Sequence, residues 1–358
     1  MSGVISLLPI GSSQRMERLL DYALRDCEVK RLTQEDLAEG VSGLRIVFAL
    51  CVDELGVGEE YVRLLRLLRR GQCFHDCWAG IIVDGSNELF TKSAAQELAL
   101  AANMAGCAFP GKPLVEGTGS LYNQHILAQR MELSWEETYF ARGAELVRRL
   151  LAFEVHRVAN PNVLMIHASD NLRSNTVWMG RQLLERLPGN FTTREISLQN
   201  GTIHDCRGCS YAACLHFSQS DTCFYGGAIS QEVLPAIRDC DAMLFLCPNY
   251  NDAVSANLMA LFNRMTNLLV QQELLDKYLF GVVVSGYSGS ADLHQEGACP
   301  QVLVVAIAPG GHRTHQRRRE GAQPLLHGGG QGQIIPPGVV GHAHYQTALG
   351  DARVFPGD

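Results

Sequence analysis

Short, nearly continuous apolar runs alternate along this chain with longer stretches in which apolar residues recur every three or four positions. The first pattern suits a strand covered on both faces, the second an amphipathic helix. Their alternation predicts βαβ units around a parallel sheet. In the first half, runs at 4–8, 29–32, 45–50, 79–83 and 113–116 predict five strands, and helical periodicity falls at 14–25, 59–70, 92–105 and 135–153. The connection 33–44 carries no clear element. The pattern restarts after Asn160-Pro161, with strands predicted at 162–167, 193–198, 242–247 and 279–285 and helices at 175–187, 231–238 and 255–273. The layout of 45–70 recurs at 242–265, and AGIIVDGS at 79–86 is echoed by LFGVVVSGYSGS at 279–290. The expected fold class is α/β, with two tandem doubly wound parallel sheets forming an internal repeat. A chance likeness between two α/β domains is the bland alternative.

Composition narrows the function classes. The length of 358 residues suits two domains, and 46% hydrophobic with 19% charged residues is the balance of a globular protein. A formal charge of -7 argues against a general nucleic-acid or anionic-membrane binder, which needs clustered Lys and Arg. No apolar run approaches the ~20 residues that span a bilayer. The opening MSGVISLLPIGSSQRMERLL lacks a basic n-region and a long apolar h-region, so no signal peptide is expected and the expected location is cytoplasmic. Of the 12 cysteines, Cys27, Cys51, Cys73, Cys77 and Cys107 are scattered, whereas Cys206, Cys209, Cys214 and Cys223 fall close together. In a cytosolic chain such a cluster suggests metal or redox chemistry before disulfides.

Residues 291–358 differ in composition from the rest. They contain no Ser, Lys, Asn, Met or Trp, yet hold His294, His312, His315, His327, His342 and His344 and the run Arg317-Arg318-Arg319. The doubly wound pattern still needs a helix, a strand and a helix after residue 290. Only 301–307 (QVLVVAI) reads as a strand, and no amphipathic helix follows it. Two readings stay open. One is a disordered extension. The other is a departure from the ancestral reading frame near 292–299, which translation of the gene's other frames would test.

Ligands of open parallel sheets bind at the carboxyl ends of the strands. After the strand at 162–167 comes Ala168-Ser169-Asp170-Asn171-Leu172-Arg173-Ser174-Asn175-Thr176 and then a helix. Hydroxyls and helix N-terminal amides there can cradle a phosphate, although Ser174 or Asn175 serving only as a helix cap explains the same residues. No G-x-G-x-x-G or Walker motif is present, which disfavours dinucleotide-fold dehydrogenases and P-loop NTPases. After 242–247 comes Pro248-Asn249-Tyr250-Asn251-Asp252, and after 279–285 comes Gly286-Tyr287-Ser288, each offering a tyrosine face to a planar ring. His167 beside the first loop reads as structural, and Asp53 and Glu54 as a solvated surface pair.

One phosphate-type loop and two ring-type loops on one sheet edge describe a flavin mononucleotide pocket. Residues 160–290 resemble the NAD(P)H-dependent FMN reductase branch of the flavodoxin-like superfamily. HASDNLRSNT at 167–176 resembles that family's G-S-x-R-x-x-S-N-T phosphate loop, with His167-Ala168 replacing the glycine before the serine. DCDAMLFLCPNYNDAVSANLMALFNRM at 239–265 resembles its ADAIIFGSPVY…SA.LKAFIDR segment, and HDCRGCSYAACLHFSQSDTC at 204–223 resembles the Cys-rich loop of many members. The resemblance implies FMN held at its phosphate by Ser169, Ser174, Asn175 and Thr176. It implies ring contacts from Pro248, Asn249, Tyr250 and Asn251, and from Ser285, Gly286, Tyr287 and Ser288. It also implies hydride supplied by NAD(P)H and passed to a small acceptor such as a quinone, a flavin or a metal. No separate catalytic acid or base is expected, because the cofactor carries the chemistry.

Three domains follow. Residues 1–155 are expected to be a degenerate flavodoxin-like copy without flavin. Its loop Pro9-Ile10-Gly11-Ser12-Ser13-Gln14-Arg15 lacks the Ser-Asn-Thr helix start, and Cys51-Val52-Asp53-Glu54-Leu55 brings two carboxylates to the flavin position. Residues 160–290 are the FMN-binding domain and 291–358 the atypical tail. Because flavodoxin-like reductases commonly dimerise, the fused copy is expected to pair with the second domain within one chain; a homo-oligomer stays open. The spacing Cys206-x2-Cys209-x4-Cys214-x8-Cys223 allows an iron–sulfur cluster, a structural zinc, or a metal-free loop of redox-active or half-buried thiols. The alternatives to a reductase are an iron–sulfur flavoprotein, a flavodoxin-type electron carrier, and a redox-sensing module.

Overall fold

A computed structural model describes residues 3–155, 158–169, 174–199, 201, 203–220, 222–248, 253–269, 274, 277–285 and 301–307. Its backbone contacts divide the chain into two compact units, and among the described residues the first comprises those up to Val155.

The first unit contains β1 (Val4–Ile10), α1 (Gln14–Leu24), β2 (Glu28–Arg31), α2 (Gln34–Glu39), β3 (Val41–Ser42), β4 (Arg45–Val52), α3 (Glu59–Leu68), β5 (Phe74–His75), β6 (Cys77–Gly85), α4 (Thr91–Met104), β7 (Cys107–Ala108), β8 (Leu114–Gly117), α5 (His125–Met131) and α6 (Trp135–Ala152). The main sheet runs β2-β1-β4-β6, with β7 and β8 both paired to β6 and every pairing parallel. Counting the five longer strands gives the order 2-1-3-4-5, that of the flavodoxin-like doubly wound sheet. All of β6 is buried, as a central strand with helices on both faces must be, whereas the edge strand β2 (EVKR) is exposed and charged. Right-handed crossovers set α1 on the face opposite α3 and α4, and α6 packs beside α1 across β1, β4, β6 and β8.

The connection 33–44, which carries no clear sequence pattern, contains α2. A capping box closes its start: the Thr33 hydroxyl accepts from the Asp36 amide, and the Asp36 carboxylate accepts from the Thr33 amide. Gly106 follows α4 at φ 98, with Phe74 O so close that a Cβ would collide with backbone. Only glycine fits there.

The second unit contains β9 (Asn162–His167), α7 (Asn175–Leu184), β10 (Thr192–Ser197), α8 (Tyr211–Ser218), α9 (Leu234–Asp239), β11 (Ala242–Pro248), α10 (Ala256–Arg264), α11 (Thr266–Leu269), β12 (Tyr278–Ser285) and β13 (Gln301–Ile307). Its sheet runs β10-β9-β11-β12-β13, again 2-1-3-4-5. The first four strands are parallel, but β13 pairs with β12 antiparallel. A parallel fifth strand requires a crossover, and the sequence after β12 offers no helix to make one. The run 301–307 is thus a strand, in the reverse of the direction that a doubly wound sheet expects.

Two helices depart from their sequence pattern. The helix expected over 231–238 starts with a π turn at Ile229–Val233 and continues as α9, with Pro235 in the first turn. The helix expected over 255–273 is broken at Met265 into α10 and α11. Among the described residues no helix is long and apolar enough to cross a membrane. Apart from 301–307, the atypical tail 291–358 lies outside the described residues.

Candidate functional site

The carboxyl ends of β9, β11 and β12 lie side by side, with Phe245 opposite Ile166 and Pro248 opposite Val284. The first connection from β9 crosses to β10 and the next lands on the other side at β11, so the switch point of the sheet falls between β9 and β11. Ser169, Ser174, Asn175 and Thr176 follow β9, while Pro248 ends β11 and Ser285 ends β12. The topology thus brings these six residues to one sheet edge. Asn249, Tyr250, Asn251, Gly286, Tyr287 and Ser288 lie outside the described residues.

Ser174 is the N-cap of α7; its hydroxyl oxygen accepts from the Val177 amide at 3.3 Å, which leaves its own proton to donate outward. The helix stands close to the sheet because Gly180 has no side chain. A Cβ there would lie 2.6 Å from Leu246 Cδ1 and 2.7 Å from Met165 Sδ, both fully buried. The amides of the first α7 turn therefore face the switch point from a fixed height.

His167 holds the other side of the loop. The Ser169 amide donates to His167 Nδ1 at 3.1 Å, so Nδ1 is an acceptor and the ring proton sits on Nε2, which lies 3.1 Å from Glu195 Oε1. Arg181 clamps Glu195 with two bonds, Nε to Oε2 at 2.9 Å and Nη2 to Oε1 at 2.7 Å. Those bonds hold the Glu195 carboxyl below the usual carboxylate range, against its partial burial, and His167 adds to the effect. The Ser197 hydroxyl donates to Ser169 O at 2.8 Å. The His167 imidazole thus orients the backbone of Ser169.

Sequence reasoning missed one candidate residue. Ser255 precedes α10 as its N-cap, and its buried Oγ has no hydrogen-bond partner among the described residues. A buried hydroxyl without a partner is uncommon and marks a place where a ligand atom would be favourable. The cue, a serine before an apolar helical run, is the same as for an ordinary cap, so sequence alone cannot separate the two. The free Ser255 hydroxyl, the donor capacity of Ser174 and the α7 amides fit a polar, anionic ligand at this edge. Cys247 lies beside it, and burial pushes its thiol up to about 12, which keeps it protonated and inert.

The equivalent edge of the first unit is closed by the chain itself. Ser13 caps α1 through the Met16 amide, but its hydroxyl donates to Asp84 Oδ2 at 2.6 Å. Arg15 Nε bonds Asp84 Oδ1 at 2.6 Å, and its remaining donors reach Gly119 O, Gly85 O and Thr118 O. The Gly11 amide is taken by Glu60 Oε2 at 3.0 Å. Carboxylates of the protein therefore occupy the donors that an anion would need. Asp53 and Glu54 are exposed, and Asp53 Oδ1 accepts from the Leu55 amide at 2.8 Å, in keeping with a solvated surface pair.

The metal reading of Cys206, Cys209, Cys214 and Cys223 is not supported. Among the described residues no group of three or more His, Cys, Asp or Glu side chains is arranged to hold a metal ion. Such a site needs thiolates converging to about 2.3 Å from one point, and a single C-x2-C pair does not enforce that convergence. Cys206 is exposed and the other three thiols are half-buried. The loop that carries them is tied at both ends to α10 and α11: Arg264 donates to His204 O at 3.3 Å and to Gly226 O at 2.7 Å, Asn263 to Asp205 Oδ1 at 3.0 Å and Asn267 to Thr222 O at 2.7 Å.

Residues 161–312, a segment of the chain, match the model of the NADPH-dependent FMN reductase family. No curated protein matches the chain. The match covers β9 to β13 and leaves the first unit outside it. The match likens this segment to a family of flavin-dependent oxidoreductases.

Proposed function

We propose that the second unit binds one FMN at the switch point between β9 and β11 and oxidises NADPH or NADH to reduce a small acceptor such as a quinone. The observation that supports this reading is the polar edge itself: the Ser174-capped start of α7 and the partnerless Ser255 hydroxyl before α10 follow β9 and β11, the strands that flank the switch point where doubly wound folds take ligands. The phosphate falls to the amides of Asn175 and Thr176 and the hydroxyls of Ser169, Ser174 and Thr176. The helix dipole favours its charge. His167 and Ser197 hold the Ser169 backbone in place for that contact. Pro248 to Asn251 and Ser285 to Ser288 fall to the ring, with Pro248 stiffening the turn that carries them. Bound FMN supplies two-electron chemistry at its ring, so the protein needs no acid–base pair of its own.

The first unit, on this reading, takes no flavin. Glu60 and Asp84 already hold the donors of its first loop, and like charge repels a phosphate.

The test is reconstitution of the full chain with FMN, followed by NADPH oxidation with a quinone present. A yellow complex that turns over supports the reading. Ser174→Ala should weaken FMN binding about fivefold, the worth of one hydrogen bond of about 1 kcal/mol. Failure to retain FMN overturns the proposal. Retention of FMN without NADPH oxidation replaces the reductase with an electron carrier.

A further inference from the structure

The backbone of Ser169 is held at both of its polar groups. Its N–H donates to His167 Nδ1 at 3.1 Å, and its C=O accepts from the Ser197 hydroxyl at 2.8 Å. A side-chain acceptor two residues before the amide it serves is the arrangement of an Asx turn, here with an imidazole in place of Asn or Asp. The register of the sheet explains why β10 supplies the supports. Ser197 pairs with His167 and Glu195 with Met165, so Glu195 and Ser197 stand two residues apart on the same face as His167. Gly180 of α7 packs against Met165, so this is the face that α7 covers. Ile196 and Leu198 turn the other way, into the core shared with α9 and α10.

The ring needs a hold of its own. An imidazole bonded only through Nδ1 can swivel about its Cβ–Cγ bond, and half a turn puts a C–H where Nδ1 stood. That would leave the Ser169 amide without its acceptor. Nε2 lies 3.1 Å from Glu195 Oε1, which pins the far side of the ring. Glu195 is fixed in turn by Arg181, through Oε2 at 2.9 Å and Oε1 at 2.7 Å. The His167 side chain is only 5% exposed, so solvent has little access to replace the carboxylate. The chain of contacts therefore runs from the exposed face of α7, through the edge strand, to the first loop residue after β9.

We propose that Glu195 is a positioning residue for phosphate recognition: it fixes the His167 ring, the ring fixes Ser169, and the site thereby prefers FMN to riboflavin, which has no phosphate. This inference rests on the FMN reading of the same edge. Arg181 adds a second effect, since a carboxylate beside an anion site repels the anion and the guanidinium offsets that charge.

The test titrates the full chain with FMN and with riboflavin, followed by flavin fluorescence. Glu195→Gln and Glu195→Leu both remove the charge, but only Gln keeps an oxygen that accepts from Nε2. The ratio of FMN to riboflavin affinity should be about fivefold lower in Glu195→Leu than in Glu195→Gln, the worth of one hydrogen bond. His167→Asn gives the Ser169 amide an acceptor that needs no support from Glu195, because Asn closes an Asx turn by itself. In that background the two Glu195 variants should give equal ratios. Nitrogen NMR of the unmodified, flavin-free chain should show the His167 proton on Nε2, a reading that does not depend on how well any Glu195 variant folds. Equal ratios for the two Glu195 variants in the presence of His167 overturn the inference. So does a difference that persists with Asn at 167, or a His167 proton on Nδ1. Each of these leaves FMN binding in place. A chain that binds neither flavin overturns the FMN reading and this inference with it.

Discussion

Asp84 is a carboxylate with 4% exposure on a fully buried strand, and it is tolerable there because Arg15 and Ser13 saturate it. Removing one member of a buried ion pair strands the other at a cost of about 3–5 kcal/mol. Arg15→Met should therefore destabilise the first unit by about 3 kcal/mol in denaturant unfolding. Arg15→Met combined with Asp84→Leu should recover most of that loss, because no charge is left unpaired. Glu195 makes a different prediction, through pH. Its folded-state pKa is depressed by Arg181, so its contribution is present above the ordinary carboxylate range and lost as pH falls through the folded value. Melting temperature measured from neutral pH down to acid should fall less steeply in Glu195→Gln than in the unmodified chain. An unchanged slope would mean that the Arg181 clamp adds nothing to folding.

The helix α7 is held to the sheet by a single absent side chain. Gly180→Ala forces a methyl against the fully buried ends of Leu246 and Met165, and overpacking of this kind costs about 1–3 kcal/mol. On the proposed function it should also weaken FMN binding, because the Ser174 end of the helix lifts with it; titration of flavin fluorescence reads this. Elements of this kind were only partly legible beforehand. The strands β4, β6, β9 and β11 stand out in the sequence because burial on both faces makes them continuous apolar runs. By contrast, α2 and α8 are too short for periodicity to show; what marks them is a Thr33–Asp36 capping box and a Ser210 cap. The break between α10 and α11 is invisible because apolar residues continue through Met265. The Ser255 hydroxyl and the His167–Ser169 contact are tertiary facts: each depends on what else reaches the same sheet edge.

Two sheets with the same strand order stand in one chain, and among the described residues the donors at the edge of the first are taken by Glu60 and Asp84. The proposed function therefore expects one FMN per chain on reconstitution, read by absorbance against protein concentration. A ratio near two would show that the Asp84 and Glu60 contacts yield to the ligand. The pattern along the chain carries the order of both sheets, since each βαβ unit constrains where its next strand lies. It does not carry the direction of β13, which depends on whether a crossover helix follows β12.

Arg264 sets one further property, how freely the cysteine loop can change. A segment held at both ends by one guanidinium and two asparagines is closed by its anchor rather than by its own length. Doubling such a segment costs only about 0.6 kcal/mol in closure entropy. A Gly-Ser pair inserted between Gln219 and Ser220 should barely move the melting temperature, whereas Arg264→Ala should release both ends at once and lower it clearly. The loop is then a cartridge whose socket is Arg264 rather than its own length.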